Sequence, residues 1–102
     1  MRKGKILSTT GKEIKINVSL HPGEVLAEEL AERGEVKSAF AMKIGMYPSH
    51  FSNLLKGKRD VSASIAVKLE EELKIPAEFW LGLQMDYDLL HERERVHGLM
   101  AH

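Results

Sequence analysis

The stretch from Ser38 to Arg59 constrains this chain more than any other. It reads Ser-Ala-Phe-Ala-Met-Lys-Ile-Gly-Met-Tyr-Pro-Ser-His-Phe-Ser-Asn-Leu-Leu-Lys-Gly-Lys-Arg. Phe40, Ala41 and Ile44 fall at helical spacing, and Gly45 follows as a stop that takes positive φ without a Cβ clash. Pro48 stands where a first helical turn accepts proline, because the N–H it lacks has no intrahelical partner there. Phe51, Leu54 and Leu55 then share one face. Ser49, Ser52, Asn53 and Lys56 recur at i, i+3, i+4, i+7 on the other. Gly57 ends the second helix. Two short helices joined by a tight glycine turn predict a helix-turn-helix.

The outward face of its second helix carries a chemical message. An ordinary solvated face mixes Glu with Lys, but no acid occurs from Pro48 to Arg59. Serine, asparagine and lysine donate to phosphates and base edges, and none of them repels DNA. The competing explanation is an αα-hairpin of some other helical bundle. Charge distribution separates the two. The chain of 102 residues has zero formal net charge, yet the charge lies in blocks. Residues 1–20 carry five basic and one acidic side chain, residues 21–35 one and five, residues 36–60 five and one, and residues 61–102 four and eight. The helix-turn-helix is thus a basic block between acidic ones, and local charge sets the field that a polyanion meets.

A chain of this length is one domain and buries roughly 60–70% of its unfolded surface. It has no cysteine, which removes disulfides and thiolate metal sites and fits a reducing cytoplasm. No apolar run approaches the roughly 20 residues of a membrane span. The N-terminus is basic but no apolar segment follows it, so no secretory signal is expected. A cytoplasmic protein without a membrane partner is the expectation.

Around the central motif the remaining helices can be placed. In residues 1–20, Ile14, Ile16, Val18 and Leu20 alternate with Lys15, Asn17 and Ser19, a strand pattern, and Thr9-Thr10-Gly11-Lys12 suits a turn. This extension is a candidate β-hairpin that packs on its own domain, pairs with another chain or stays partly disordered. His21-Pro22-Gly23-Glu24 opens a first helix with the stripe Leu26, Ala27, Leu30, stopped by Gly34. Val36 falls at the cap position of the next helix, where Ser or Asp is preferred. Ser62 caps a fourth helix with the stripe Ile65, Ala66, Leu69, Leu73, and Ile75-Pro76 breaks the chain. A fifth helix runs from about Ala77 to about Val96, and residues 97–102 form a frayed tail. On the fifth helix Phe79 and Trp80 are assigned to the core. Tyr87 and Leu90, farther out, are assigned to a partner chain. The fold expected is all-α, with a helix-turn-helix domain over residues 21–96.

Several stretches together resemble the HigA-type antitoxins within the XRE/Cro/cI helix-turn-helix group. They are His21-Pro22-Gly23-Glu24-Val25-Leu26, Leu54-Leu55-Lys56-Gly57-Lys58-Arg59, Glu78-Phe79-Trp80-Leu81, Leu83-Gln84 and Tyr87-Asp88-Leu89. The resemblance covers His21 to about Arg95. It implies a five-helix, repressor-like DNA-binding antitoxin that neutralises a RelE-like mRNA endonuclease toxin and represses its own operon as a homodimer. The family's turn usually reads close to Gly-Val-Ser-Arg-Gln-Thr; here it reads Gly45-Met46-Tyr47-Pro48-Ser49-His50. Tyr47 replaces the usual serine cap. Pro48 and Ser49 replace the Arg and Gln types that make bidentate contacts to G and A. Alternatives are a stand-alone XRE-type repressor without a toxin, and an interaction module that has lost DNA binding.

Catalysis is not expected. His91-Glu92-Arg93-Glu94-Arg95 begins like the zinc motif H-E-x-x-H, but Arg95 stands where the second ligand belongs. No cofactor and no metal is expected. The site residues expected are Asn53 for base reading, Ser49, His50 and Ser52 near bases or phosphate, and Lys37, Lys56, Lys58 and Arg59 on phosphates of double-stranded operator DNA. Tyr87 and Leu90 are expected at the homodimer seam.

Overall fold

The computed structural model describes residues 20–100, and these form five helices. α1 is Pro22–Arg33, α2 Lys37–Lys43, α3 Pro48–Leu55, α4 Ala63–Leu73 and α5 Ala77–Met100. The candidate hairpin lies, apart from Leu20, outside the described residues. The all-α expectation stands.

Each boundary has a local cause. His21 is the N-cap of α1, and its Nδ1 accepts the Gly23 N–H at 2.9 Å. Pro22 follows at the first position, where its fixed φ suits the helix. Val36 caps α2 without a side-chain bond, as its apolar type dictates. After α2, Gly45 at φ 72° lets Gly45 N–H reach Met42 O and Met46 N–H reach Ala41 O, a Schellman closure. The same pairing recurs after α3, where Lys58 N–H reaches Asn53 O at 2.9 Å. Ser62 caps α4 through the Ile65 N–H. Lys74 ends α4 at φ 64°, a left-handed position filled without glycine. Glu70 Oε1 then accepts the Ala77 N–H and holds the start of α5.

The core is one cluster. Leu26 and Leu30 of α1, Phe40 and Ala41 of α2, Phe51 and Leu54 of α3, Ala66 and Leu69 of α4 and Trp80 of α5 are all buried in it. α3 packs on α2 and α1, while α5 packs on α4 and α1. Arg33 Nη2 donates to Leu73 O at 2.9 Å and ties the end of α1 to the end of α4.

Two expectations need correction. Phe79 is not core: it is 45% exposed and lies edge-on to Trp80 at 5.2 Å. Adjacent residues on a helix point about 100° apart, so with Trp80 wholly buried its neighbour is turned outward. The tail expected from residue 97 is also helical as far as Met100. Arg95 donates to the Glu92 carboxylate one turn earlier, and that bond holds the carboxyl below its ordinary value and the guanidinium above its own. Both groups are fully exposed, so the pair marks helical geometry rather than stability.

A glycine permits a close backbone approach between α1 and α3. A Cβ on Gly23 would overlap the carbonyl group of Leu54. Gly23→Ala is expected to cost about 3 kcal/mol or more, because α1 must lift off α3. The same change at Gly82 in α5, where a Cβ meets nothing, is expected to stabilise by about 0.5–1 kcal/mol. Urea unfolding of the two variants checks the contrast.

Candidate nucleic-acid interface

α3 is fixed by its apolar face. Phe51, Leu54 and Leu55 are buried, and the Phe51 ring lies 5.7 Å from that of Phe40 on α2. That anchoring turns the opposite face outward. Ser49, His50, Asn53 and Lys56 are exposed, and Ser52 is half-buried. A shallow groove between α2 and α3 brings Lys37, Ser52 and Lys56 to one rim. Lys58 and Arg59 are exposed on the loop that follows. The structure therefore gathers all eight expected contact residues on α3 and its immediate borders. No acidic side chain stands on α3 itself. Among the described residues no cluster of His, Cys, Asp or Glu could hold a metal ion.

The loop from Lys56 to Val61 is held at both ends by His21 and Gln84, to which the sequence analysis gave no role in holding it. At one end, the His21 ring lies where a Cβ on Gly57 would touch it. Its Nδ1 is committed to the Gly23 N–H, which assigns the ring proton to Nε2. Nε2 points toward Asp60 Oδ1, 3.8 Å away. At the other end, Gln84 of α5 is buried and its Oε1 accepts the Val61 N–H at 2.7 Å. Gln84 Nε2 donates to Asp60 Oδ1 at 3.1 Å and to Asp88 Oδ1 at 3.0 Å. A signal for both residues exists in the sequence. Gln84 lies one turn after Trp80 on the same face, and Pro22 at the first helical position makes residue 21 the cap.

α5 shows a different face. Tyr87 is half-buried, with its ring edge-on to His21 at 4.8 Å and tilted on His91 at 4.1 Å. Leu90 is also half-buried. Among the described side chains, the exposed large apolar ones beyond Phe79 are Met85, Leu89 and Val96, which share one side of the helix at i, i+4 and i+11. No described helix is long and apolar enough to cross a membrane.

No family model matches the chain. It is similar to the antitoxin HigA-1 of Vibrio cholerae, 36% identical over 74 residues that span 72% of this chain and 70% of that protein. Among solved structures it is similar to the antitoxin GraA, with a TM-score of 0.70 and 38% identity over 78% of this chain and 86% of that one. It is also similar to the Pseudomonas aeruginosa antitoxin HigA with the higBA promoter. There the TM-score is 0.75 and the identity 26%, over 81% of this chain and 91% of that one.

Gln84→Leu keeps the packing volume and removes the acceptor of a buried N–H. It is expected to cost about 1–3 kcal/mol in urea unfolding. It should also raise hydrogen exchange at Val61 above that of the α3 amides.

Proposed function

Because the chain belongs to the HigA-type antitoxins of the XRE helix-turn-helix family, we propose that it is the antitoxin of a type II toxin–antitoxin module. In this reading it binds the operator upstream of its own gene, represses that operon as a homodimer, and neutralises a RelE-like mRNA endonuclease. Its relatives are antitoxins and helix-turn-helix regulators, not enzymes. The relative from Pseudomonas aeruginosa is a complex with promoter DNA, which supports the DNA partner. A cytoplasmic location follows from that role.

The observation that carries the proposal is the exposed, acid-free face of α3, flanked by Lys37, Lys56, Lys58 and Arg59. Laid in a major groove, α3 directs Asn53 to a base edge, where an amide pairs with adenine N6 and N7 together. Ser49 and His50 sit near the leading end of the helix, the end that reaches bases. Ser52, sunk beside Lys37 and Lys56, is placed for the backbone. The four basic residues meet phosphates, where charge matters more than geometry.

Dimerisation doubles those contacts. The seam is assigned to α5 at Tyr87 and Leu90, which are both half-buried and lie about 60° apart on one side of the helix. Leu90→Asp is expected to give a monomer in sedimentation at micromolar concentration. A dimer as tight as the parent's would place the seam elsewhere.

On DNA from upstream of its own gene, Asn53→Ala should cost roughly 1–3 kcal/mol and relax preference at one base pair. Lys58→Ala should weaken binding to all sequences alike and lower the salt slope by about one per site engaged. Indifference of binding to both changes would remove α3 from the groove. For the toxin, the product of the neighbouring gene should co-purify with the chain and lose its ribonuclease activity in the complex. Activity unchanged by saturating antitoxin would contradict the neutralising role.

A further inference from the structure

α3 opens on a side chain that does nothing for the helix. Tyr47 has the N-cap backbone conformation, φ −64° and ψ 140°, but its side chain makes no cap bond. Ser, Thr, Asp or Asn there would satisfy an orphan N–H and contribute roughly 1 kcal/mol. The Tyr47 ring is instead 73% exposed, so it adds nothing to the core either. Among the described residues its one aromatic neighbour is His50, edge-on at 5.5 Å and 89°. Pro48 and Ser49, between them, are exposed, and proline offers only carbon surface. The leading tip of α3 is therefore an apolar, aromatic prow on a helix whose remaining outward face is polar.

We propose that Tyr47, braced by His50, is a specificity-determining residue that packs against a thymine 5-methyl group of the operator. The proposal rests on the DNA-binding role of α3. The N-terminal residues of a recognition helix are the ones that contact base edges. Along the floor of the major groove the thymine methyl is the apolar feature, and apolar side chains discriminate by touching it. The bracing matters because a ring already held by a neighbour loses less freedom when it docks. The surroundings complement a polyanion, with no acid between Pro48 and Arg59 and with Lys37 and Lys56 at the nearby groove rim. A phenolic hydroxyl bonded to phosphate is the other use such a residue could have, and the test separates the two.

The full-length chain is titrated with its upstream DNA, and with the same DNA carrying deoxyuridine for thymidine at one position at a time. This replacement removes only the methyl group. The parent chain should lose about fourfold in affinity at one or two positions per half-site, the worth of one buried methyl-sized group, and be indifferent elsewhere. Tyr47→Phe should keep that sensitivity. Tyr47→Ser supplies the preferred cap and so folds at least as well, yet it should bind thymidine and deoxyuridine DNA equally. The proposal falls if the parent is indifferent to every replacement, or if Tyr47→Ser remains as sensitive as the parent. It also falls if Tyr47→Phe loses affinity as Tyr47→Ser does, for that assigns the hydroxyl to phosphate. Failure of the parent to bind the unmodified DNA in a salt-dependent way would remove the DNA-binding role itself, before any replacement is made.

Discussion

The approach of Gly23 to the carbonyl of Leu54 governs the rest of the molecule. At that point the first turn of α1 lies against the last turn of α3, closer than any side chain allows. The same carbonyl accepts the Gly57 N–H that closes α3. The His21 ring covers Gly57 and is itself covered by the Tyr87 ring from α5. One junction therefore fixes three helices and the start of the loop carrying Lys58 and Arg59. Gln84 fixes the end of that loop through Val61. A recognition helix must hold its outward face in one orientation while a polyanion pulls on it. Here the constraint comes from below, through buried apolar contacts and backbone-directed hydrogen bonds, so the outward side chains need no role in folding.

That separation explains the composition of α3. Phe51, Leu54 and Leu55 supply the packing, and the other face is left to Ser, His, Asn and Lys. Tyr47 and Pro48 extend the same logic to the turn. A cap that serves folding is exchanged for a ring that serves the surface, and the helix keeps its place because its far end is clamped. The acidic blocks on either side in sequence lie on other elements. α1 carries Glu24, Glu28 and Glu29, and α4 carries Glu70 to Glu72. A chain of zero net charge can thus present an acid-free helix.

The parts legible in the sequence were those written in short-range code. Gly34, Gly45 and Gly57 all take positive φ after their helices, Pro22 and Pro48 stand at first helical positions, and Ser62 caps α4. Periodicity placed the faces of α3, and with them the exposure of Asn53 and Lys56. Contacts between distant segments were not legible. The need for glycine at residue 23 depends on Leu54, 31 positions on. Gln84 shares the buried face of Trp80, but its partner, the Val61 N–H 23 positions earlier, is not visible until α4 and α5 are packed. Phe79 was misplaced because apolar character alone does not say which of two neighbouring aromatics points inward. The length of α5 was understated because its last turns carry polar side chains on most positions, with Glu92 and Arg95 paired across one turn.

The central claim is that the outward face of α3, held by the Gly23 junction, is the surface that meets operator DNA. The most direct measurement is a titration of the isotope-labelled chain with its upstream DNA, followed through backbone amide chemical shifts. The largest changes should fall on Tyr47 to Arg59 and on Lys37, with His21, Gly23 and Gln84 little moved. Changes confined to α5 or to residues 1–20, with the α3 amides unmoved at saturating DNA, would contradict the account.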